Sequence, residues 1–597
     1  MNLFKNSKKI LQFAFQEKKK KFFFIVIGLI ILGFIEVLGI ASIGPLMAVV
    51  TNEELIFNNI YLKKIYYMFS FNSKNQFIVF LGFICFSTVA FSNIFNAIMI
   101  WQTTLFAKLQ GYIISYKLYE KYLFNDYSIF LNRNSSEIEK NILSEVKRTV
   151  DGIILPILQL ISKFFVTISI FIFLIIFNPT ITIPIIIILS LSYFLVFYFL
   201  KDIQTRIGLE STKTVLSRFK IINESLYGIK EIKLKSAENI YLRLFSKPAK
   251  REAILDTKGT LISNLPRFLI ETVIIMILVI TIIYLTYEEQ VSNSGLMPIF
   301  AIYALAGIRL MPSIQQIYLS SAMIKYNLPA FELLINDFNR VQIINPLSKK
   351  RFEDFSFNNN IKLNDISFKY ENSNNLVLNK INFKIKKNSI IGIVGRTGSG
   401  KSTLIDLFCG LLNPTRGCFF IDDRKYVNLN IDKWKHIIGY VPQSIRLNDD
   451  TIASNIAFPF SKNEINMDKV IECSKKSNLH EYVISLPNGY ETVIGEKGVR
   501  LSGGQRQRIA ISRSLYSDPQ ILIFDEATSA LDNITENIIL DTINVLSNKI
   551  TLIIISHRLK TLKKCDNIIY IKDQTINDQG TYSYLSQTNE NFKKLKQ

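Results

Sequence analysis

Six long apolar segments in the first 325 residues restrict the fold of this chain more than any other feature. Each is long enough to cross the roughly 30 Å hydrocarbon core of a bilayer as a helix, and the first is too long for the core of a signal peptide. We therefore predict an all-α transmembrane domain over residues 1–325, with a retained first helix and a sixth helix that Pro298 and Pro312 interrupt. The predicted spans cover residues 22–50, 77–101, 152–177, 181–200, 266–287 and 295–325.

The distribution of basic residues predicts how these spans are oriented. The segment 201–267 holds fourteen Lys and Arg against seven acidic residues, the N-terminus is strongly basic, and the turn at 178–180 has neither Lys nor Arg. Because basic segments stay on the cytoplasmic side, we predict a multi-pass protein of the inner (plasma) membrane with both termini in the cytoplasm. Orientation in a bilayer explains the net charge of +22 better than a nucleic-acid partner does.

Two connections between the spans, at residues 102–150 and 201–265, are long and show helical periodicity rather than loop composition. We expect them to extend the helices into the cytoplasm, with turning points near residues 125–133 and 223–230 where a cytoplasmic domain could push. On the outer side, residues 54–69 mix apolar and basic side chains. This pattern fits an amphipathic helix in the membrane interface and equally a packed hairpin.

Charged side chains at membrane depth are costly and normally face a cavity or a partner. Glu36 lies in the first span, Lys163 in the third, Arg267 at the start of the fifth and Arg309 in the sixth, with Gln316 two turns further along. One interpretation is a basic cavity for an anionic head group, and the other is internal pairing, for example of Glu36 with an arginine. We favour the cavity for Arg309 and predict Glu36, Arg267 and Arg309 as substrate-contacting residues.

A glycine-rich segment in the second half of the chain predicts a nucleotide site. It follows the apolar run 390–394, precedes a helical run at 403–412, and has the pattern G-x-x-x-x-G-K-S of a phosphate-binding loop. In such a loop the backbone N–H groups and the helix dipole bind phosphate oxygens, the lysine reaches the β- and γ-phosphates, and the serine hydroxyl binds Mg²⁺. The predicted residues are Gly395, Arg396, Thr397, Gly398, Ser399, Gly400, Lys401, Ser402 and Thr403.

Further residues in this part of the chain predict an ATPase. A buried apolar run ends in Asp525 and Glu526, which we expect to hold Mg²⁺ and to polarise the attacking water, respectively. Gln443 is expected to sense the metal or the water, and His557, which follows another apolar run, to reach the γ-phosphate. Tyr370 is expected to stack on the adenine ring.

The sequence Leu-Ser-Gly-Gly-Gln at 501–505 precedes a basic helical run and offers N–H groups and a helix dipole to a second phosphate site. Together with the loop at 395–402, Gln443, the acids at 525–526, Ser-Ala-Leu-Asp at 529–532 and His557, this segment resembles the ATP-binding cassette family over about residues 361–575. The composition changes after Asn327, and we predict a linker at 326–360 followed by an α/β P-loop ATPase domain at 361–597.

The family resemblance implies a homodimer that binds ATP and Mg²⁺. Each ATP would lie between the phosphate-binding loop of one copy and the Leu-Ser-Gly-Gly-Gln segment of the other. Residues 492–498 resemble the contact loop of exporters rather than importers. The resemblance adds the following residues to the nucleotide site: Ser502, Gly503, Gly504, Gln505 and Asp532.

Short motifs of the membrane half, at 34–36, 266–268 and 309–312, together with the outer segment 54–69, resemble the bacterial lipid-linked oligosaccharide flippase. This resemblance implies ATP-driven movement of a polyprenyl-pyrophosphate-linked oligosaccharide to the outer leaflet, with the arginines of the membrane half steering the pyrophosphate. A further cavity arginine of that family falls at Gln316 here. A multidrug or lipid exporter of the same fold, a peptide exporter and an ATP-gated channel remain alternatives.

Overall fold

The structure of the protein, a computed structural model, describes residues 18–287, 293–340, 357–370, 373–426, 431–495, 498–526, 546, 549–556 and 558–594. The chain divides into two compact units near residue 344, with residues 126–128 grouped with the second unit. In their described parts, the first unit is built from helices and the second combines two β-sheets with helices. The predicted fold class, an all-α membrane domain followed by an α/β domain, is confirmed.

Helices of the N-terminal part are long, and four of them have between 48 and 50 residues. In chain order the helices are α1 (Lys19–Ala41), α2 (Ile43–Thr51), α3 (Leu55–Asn58), α4 (Ile60–Met68), α5 (Lys74–Leu123), α6 (Tyr127–Leu131), α7 (Ser135–Lys140), α8 (Val146–Thr149), α9 (Leu155–Phe177), α10 (Pro179–Tyr227), α11 (Ile229–Leu234), α12 (Glu238–Tyr287) and α13 (Asn293–Arg340). Two π-helical turns, Asn141–Glu145 and Val150–Ile154, join α7 to α8 and α8 to α9. Six helical segments in the described residues are long and apolar enough to cross a membrane, which confirms the predicted number of spans.

The four longest helices arise because apolar spans continue directly into the polar connections. α5 carries the second span and the connection that begins at residue 102 in one helix, and α10 and α12 do the same for residues 201–265. A short helix, α6, lies at the first predicted turning point, and α10 ends at Tyr227 within the second, where the short helix α11 follows. The helical extensions that periodicity predicts are therefore observed.

The last of these helices differs from the expectation. α13 is continuous through Pro298 and Pro312, which we expected to interrupt it. Proline is tolerated inside a membrane helix when neighbouring helices and side chains satisfy the freed backbone groups, and α13 packs against α9, α10 and α12. α13 also continues through residues 326–340, which we expected to belong to the linker, because Phe331 and Leu334 on this stretch are buried.

The apolar core of the first unit lies between α1, α5, α9 and α13 and includes Leu32 and Ile170. The close approach of α1 to α9 depends on Gly33. A Cβ atom at this position would lie 2.8 Å from Ser169 Oγ and 3.1 Å from the Phe165 carbonyl oxygen. A larger residue at position 33 would therefore push the two helices apart.

The segment 54–69, between the first two spans, forms the short helices α3 and α4 rather than one continuous helix. Ile56 and Tyr66 are buried in a small apolar cluster with Phe77 of α5. Ile60 and Met68, in contrast, are 80% and 75% exposed. The segment therefore has features of both interpretations, since one face packs as a hairpin and the other exposes Ile60 and Met68 together with Lys63 and Lys64.

The second unit contains ten strands and nine helices in its described residues. The strands are β1 (Asn360–Phe368), β2 (Leu378–Lys386), β3 (Ile390–Gly395), β4 (Arg416–Ile421), β5 (Arg424–Lys425), β6 (Ile438–Val441), β7 (Ile521–Asp525), β8 (Thr551–Ile555), β9 (Asn567–Lys572) and β10 (Thr575–Gly580). The helices are α14 (Lys401–Phe408), α15 (Ile431–His436), α16 (Ile452–Ile456), α17 (Met467–Lys476), α18 (His480–Ile484), α19 (Gly503–Leu515), α20 (Leu559–Leu562), α21 (Tyr582–Thr588) and α22 (Glu590–Lys594).

The larger sheet has the strand order β10-β9-β3-β8-β7-β6, in which β10 alone runs antiparallel to its neighbour. The smaller sheet, β2-β1-β4-β5, is antiparallel. Alternate residues of β7 enter two different cores, with Leu522 and Phe524 on one face and Ile521 and Ile523 on the other. Burial on both faces explains why the parallel strands are continuous apolar runs in the sequence.

Candidate functional site

The carboxyl ends of three parallel strands bring the predicted nucleotide residues to one edge of the larger sheet. β3 leads into the glycine-rich loop and α14, β7 ends at Asp525, and β6 leads into Gln443. β8 lies between β3 and β7 in this sheet. Ligands of open α/β sheets bind at this edge, outside the carboxyl ends of the strands.

The glycine-rich loop has the backbone of a phosphate-binding loop. Gly398 and Gly400 have positive φ angles of 82° and 98°. A Cβ atom at Gly400 would lie 2.7 Å from Leu378 Cδ2, so both the backbone angle and the close packing require glycine there. The loop continues directly into α14, whose first turn presents free N–H groups and the positive end of the helix dipole.

Two polar side chains of the loop are placed to meet an anion. Lys401 is 7% exposed, and its Nζ donates a hydrogen bond to the Gly395 carbonyl oxygen at 2.9 Å. Burial lowers the pKa of Lys401, while the charges of Glu526 and Asp525 act in the opposite direction. Ser399 Oγ is buried and has no hydrogen-bond partner within the described ranges. A phosphate group in the loop would give both side chains an acceptor.

Asp525, at the end of β7, is held by a residue that the sequence reasoning missed. Tyr440 of β6 donates a hydrogen bond from its hydroxyl to Asp525 Oδ2 at 2.8 Å. Burial raises the pKa of Asp525, and this hydrogen bond opposes the rise. Burial and the Asp525 charge also raise the pKa of Tyr440, so the tyrosine stays protonated and remains a donor. The signal available in the sequence was the position of Tyr440, three residues before Gln443.

A second carboxyl group near Asp525 was also missed. Burial, and after it the charge of Asp525, raise the pKa of Asp406 on α14 to about 6. Asp406 therefore gains a proton more readily than an exposed aspartate does, and its charge state is linked to that of the predicted Mg²⁺ ligand.

Glu526 and Gln443 lie together, as their predicted roles require. Gln443 Nε2 donates a hydrogen bond to Glu526 Oε2 at 2.7 Å. Glu526 itself has a φ angle of 50°, which is uncommon for a residue other than glycine, and its backbone N–H donates to the Ile555 carbonyl oxygen at 3.1 Å. A strained backbone that a neighbouring strand fixes in place is typical of positions where a side chain must be aimed.

Tyr370 lies beside the first turn of α14. Its hydroxyl is 3.0 Å from Thr403 Oγ1, and its ring packs edge-on against Phe368 with the ring centroids 5.0 Å apart. The tyrosine is half-buried, so part of its ring is available to a base. Ser402, on the same turn of α14, is exposed and is therefore free to contact a metal ion.

The Leu-Ser-Gly-Gly-Gln segment forms the N-terminus of α19. The Gln505 N–H donates to Ser502 Oγ at 3.3 Å, and the Ser502 N–H donates to Gln505 Oε1 at 2.8 Å, which makes a capping box. Gly503 has open space where a Cβ atom would lie. Two of the predicted phosphate ligands thus bind each other, and they fix the open end of a thirteen-residue helix.

His557, Asp532 and the rest of the segment 529–532 lie outside the described residues. The remaining predicted groups fit a nucleoside triphosphate with a divalent cation. The loop supplies N–H donors, a buried ammonium group and an orphaned hydroxyl, and the two acids at the end of β7 supply oxygen ligands of the kind that Mg²⁺ prefers.

The three predicted substrate residues of the first unit lie on different helices. Glu36 of α1 is 4% exposed, and no ion pair involves it in the described part of the chain. Arg309 of α13 is half-buried, and its Nη1 donates to Asn93 Oδ1 of α5 at 3.1 Å rather than to Glu36. Arg267 lies inside α12 and is exposed. The pairing of Glu36 with an arginine, one of the two alternatives, is therefore not found.

Two family models match the chain. The model described as ABC transporter transmembrane region matches residues 22–294, and the model described as ABC transporter matches residues 378–529. Similar curated proteins include the uncharacterized ABC transporter ATP-binding protein YfiB of Bacillus subtilis (strain 168), which is 37% identical over 39% of this chain and 40% of its own length. The ATP-dependent lipid A-core flippase of Saccharophagus degradans is 31% identical over 61% of both proteins. The matched part of the chain thus spans less than two thirds of either relative.

A solved structure shares the fold along nearly the whole chain. The structure of a bacterial Atm1-family ABC exporter with ATP bound has a TM-score of 0.79 and covers 96% of this chain and 97% of its own. The two sequences are 20% identical, so this likeness concerns the arrangement of helices and strands.

Proposed function

The chain belongs to the ABC transporter family, and from this premise we propose that it is an ATP-driven exporter that moves an amphipathic, anionic lipid from the cytoplasmic to the outer leaflet. One observation carries the proposal: a single chain combines six membrane-spanning segments with a phosphate-binding loop beside two adjacent acids at a strand end. Its ATP-binding domain uses ATP together with Mg²⁺. Hydrolysis of the β–γ bond of ATP supplies the free energy for movement of the lipid.

The residues at the sheet edge have the following proposed roles. Lys401 exchanges its bonds to loop carbonyl groups for bonds to phosphate oxygens, which are charged and therefore stronger acceptors. Ser402 and Asp525 hold Mg²⁺, and Tyr440 orients the second of these ligands. Glu526 polarises the attacking water, and the amide bond from Gln443 keeps its carboxylate in position. For His557 and Asp532 we propose the roles in the nucleotide site that the sequence predicts.

We infer that two copies of the chain form each complete ATP site. The N-terminus of α19 is open, and its capping box rigidly presents the backbone N–H groups near Gly503 and Gly504. A helix end of this kind favours an anion, and the γ-phosphate held by the loop of a second copy would supply one. A homodimer therefore has two equivalent sites.

The proposed substrate is a polyprenyl-pyrophosphate-linked oligosaccharide. Arg309 and Arg267 place two guanidinium groups on helices of the membrane-spanning unit, and guanidinium binds phosphate oxygens in a bidentate manner. The exposed apolar side chains Ile60 and Met68 of α4 are suited to contact the lipid tail. The relative that is named a lipid A-core flippase favours a second candidate, namely another phosphorylated glycolipid.

We further propose that both termini and the ATP-binding domain lie in the cytoplasm. The basic extensions of α10 and α12 support this orientation.

The experiment that tests the function uses the purified full chain in liposomes with a fluorescent polyprenyl-pyrophosphate oligosaccharide. The proposal expects ATP-dependent loss of the lipid pool that a membrane-impermeant quencher reaches, and no loss in the Glu526→Gln variant. If the lipid does not move but amphipathic drugs or peptides stimulate ATP hydrolysis, the protein is a general or peptide exporter instead. Ion conductance on ATP binding in Glu526→Gln would identify a channel.

A further inference from the structure

A cavity with apolar and polar side chains in its wall lies in the first unit, at membrane depth, and neither Arg309 nor Arg267 is among the residues that line it. It has a volume of about 240 Å³ and is bounded by α1, α5, α9 and α13. Its apolar wall is formed mainly by Leu29, Met99 and Leu158, whereas amides, hydroxyl groups and one ammonium group form the rest. The polar lining residues include Asn96, Thr104, Gln159, Ser162, Lys163 and Gln316.

Lys163 is the only ionisable side chain among the residues that line the cavity. It is also the only charged residue of α9, a helix of 23 residues that is otherwise apolar or uncharged. A charged group at membrane depth is costly unless a partner or a water-filled cavity compensates it. No ion pair involves Lys163 in the described residues, so its compensation comes from the cavity.

The hydrogen bonds inside the cavity leave donors available. Gln316 Nε2 donates to Gln159 Oε1 at 2.9 Å and also lies 3.3 Å from Ser320 Oγ. This pair fixes the two amides, and within the described residues no hydrogen bond uses the Gln159 amide N–H groups or the Gln316 amide oxygen. The ammonium group of Lys163 follows one turn along α9 and has three N–H donors. The three N–H groups of Lys163 and the amide N–H groups of Gln159 are therefore donors for an anion in the cavity.

We propose that this cavity binds the phosphate-bearing head group of the transported lipid and that Lys163 is the cationic contact. The inference rests on the proposed function. Complete pockets for drug-sized ligands usually have about 300–1,000 Å³, so a cavity of about 240 Å³ suits a charged head group rather than an entire amphipathic molecule.

The cavity and Arg309 lie at different depths. Pro312 and Gln316, on the cavity wall, follow Arg309 by three and seven residues on α13, which corresponds to about 5 and 10 Å along the helix axis. Because α13 runs inward in the proposed orientation, the cavity that Lys163 lines lies on the cytoplasmic side of Arg309. A head group that enters from the cytoplasmic leaflet would meet Lys163 first and Arg309 second.

The test measures binding before transport. The full chain in phosphatidylcholine nanodiscs, without nucleotide, is titrated with a fluorescent farnesyl diphosphate and followed by anisotropy. Loss of a hydrogen bond between charged groups predicts that Lys163→Gln weakens binding about tenfold to a hundredfold, while Lys163→Arg stays within about threefold of the wild type. Lys258→Gln removes the same charge from an exposed position on α12 and is the matched control, with no change expected.

A second variant guards against loss of the fold. Lys163→Met removes the ammonium group but retains an apolar side chain of similar length, and its thermal unfolding is compared with that of the wild type. Unchanged affinity in folded Lys163→Gln and Lys163→Met overturns the inference. Equal binding of fluorescent farnesol also overturns it, because the anion would then contribute nothing. Displacement of the probe by an equal concentration of inorganic pyrophosphate would show that the cavity binds free anions. This result would overturn the proposal that it binds the head group of a lipid.

The inference and the proposed function fail in different ways. Binding that depends on Lys163, without ATP-dependent movement of the oligosaccharide lipid in liposomes, contradicts the proposed function and leaves the head-group site standing. Movement with an unchanged KM for the lipid in Lys163→Gln supports the function and removes Lys163 from the path.

Discussion

Replacement of Asp406 by asparagine tests whether burial and the neighbouring Asp525 charge act on this carboxyl group as the structure indicates. The side chain lies on α14, partly buried behind the phosphate-binding loop, and its pKa rises from the usual 3.8 to about 6. Asparagine keeps the shape and removes the ionisable group. In the protein without nucleotide we expect Asp406→Asn to stabilise the second unit at neutral and alkaline pH.

The expected magnitude follows from the pKa. A shift of about two pH units corresponds to about 3 kcal/mol, because each unit is about 1.4 kcal/mol, and residual solvent contact reduces this to about 1–3 kcal/mol. The folded pKa is above the unfolded one, so the folded state holds the proton more tightly. The loss of stability that ionised Asp406 causes in the wild type is therefore absent below about pH 4, grows between pH 4 and 6, and is complete above about pH 6.

The assay is thermal unfolding of the full chain at pH 5 and pH 8. For a unit of this size, about 1–3 kcal/mol raises Tm by roughly 2–12 °C at pH 8, and the gain at pH 5 should be about half as large. Asp449→Asn, which changes an exposed carboxylate of the same unit, is the matched control and should leave Tm unchanged at both pH values. A gain that is equal at pH 5 and pH 8, or no gain at all, would refute the reasoning.

Three other substitutions have defined outcomes. Glu526→Gln should abolish ATP hydrolysis and keep ATP binding, because only the group that polarises water changes; undiminished hydrolysis contradicts this role. Arg309→Ala should raise the KM for an anionic lipid in the liposome assay without changing ATP binding, and an unaltered KM would make its bond to an amide purely structural. Glu145→Gln removes the charged partner of buried Lys140, 3.1 Å away, and should lower the free energy of unfolding by about 3–5 kcal/mol, seen as a lower Tm. Glu224→Gln, which breaks an exposed ion pair, is the control and should have little effect. Equal losses of stability in both variants would contradict the argument.

The nucleotide site could be predicted as far as its residues are contiguous in the sequence. The loop from Gly395 to Ser402 is flanked by a strand and a helix whose patterns are visible in the chain, and the structure has both. The bond from Tyr440 to Asp525 could not be found in this way. It exists because β6 pairs with β7 across about eighty residues of intervening chain, and strand order within a sheet is not encoded in local periodicity. Asp406, on α14, was missed for the same reason, since its neighbour Asp525 lies at the end of β7.

In the membrane half, the length of the apolar runs predicts the number of spans, but the faces of the helices are harder to predict. Lipid and protein interior are both apolar, so a membrane helix has no clear alternation between a buried and a solvated face. Lys163 and Arg309 are similar in the sequence, since each is a cation with apolar residues on both sides in the interior of a span. Only the packing separates them, because it gives Arg309 an amide partner on α5 and leaves Lys163 beside a cavity. The two cations therefore need separate substitutions: a substrate that depends on Lys163 for binding and on Arg309 for movement would establish two successive positions of one head group.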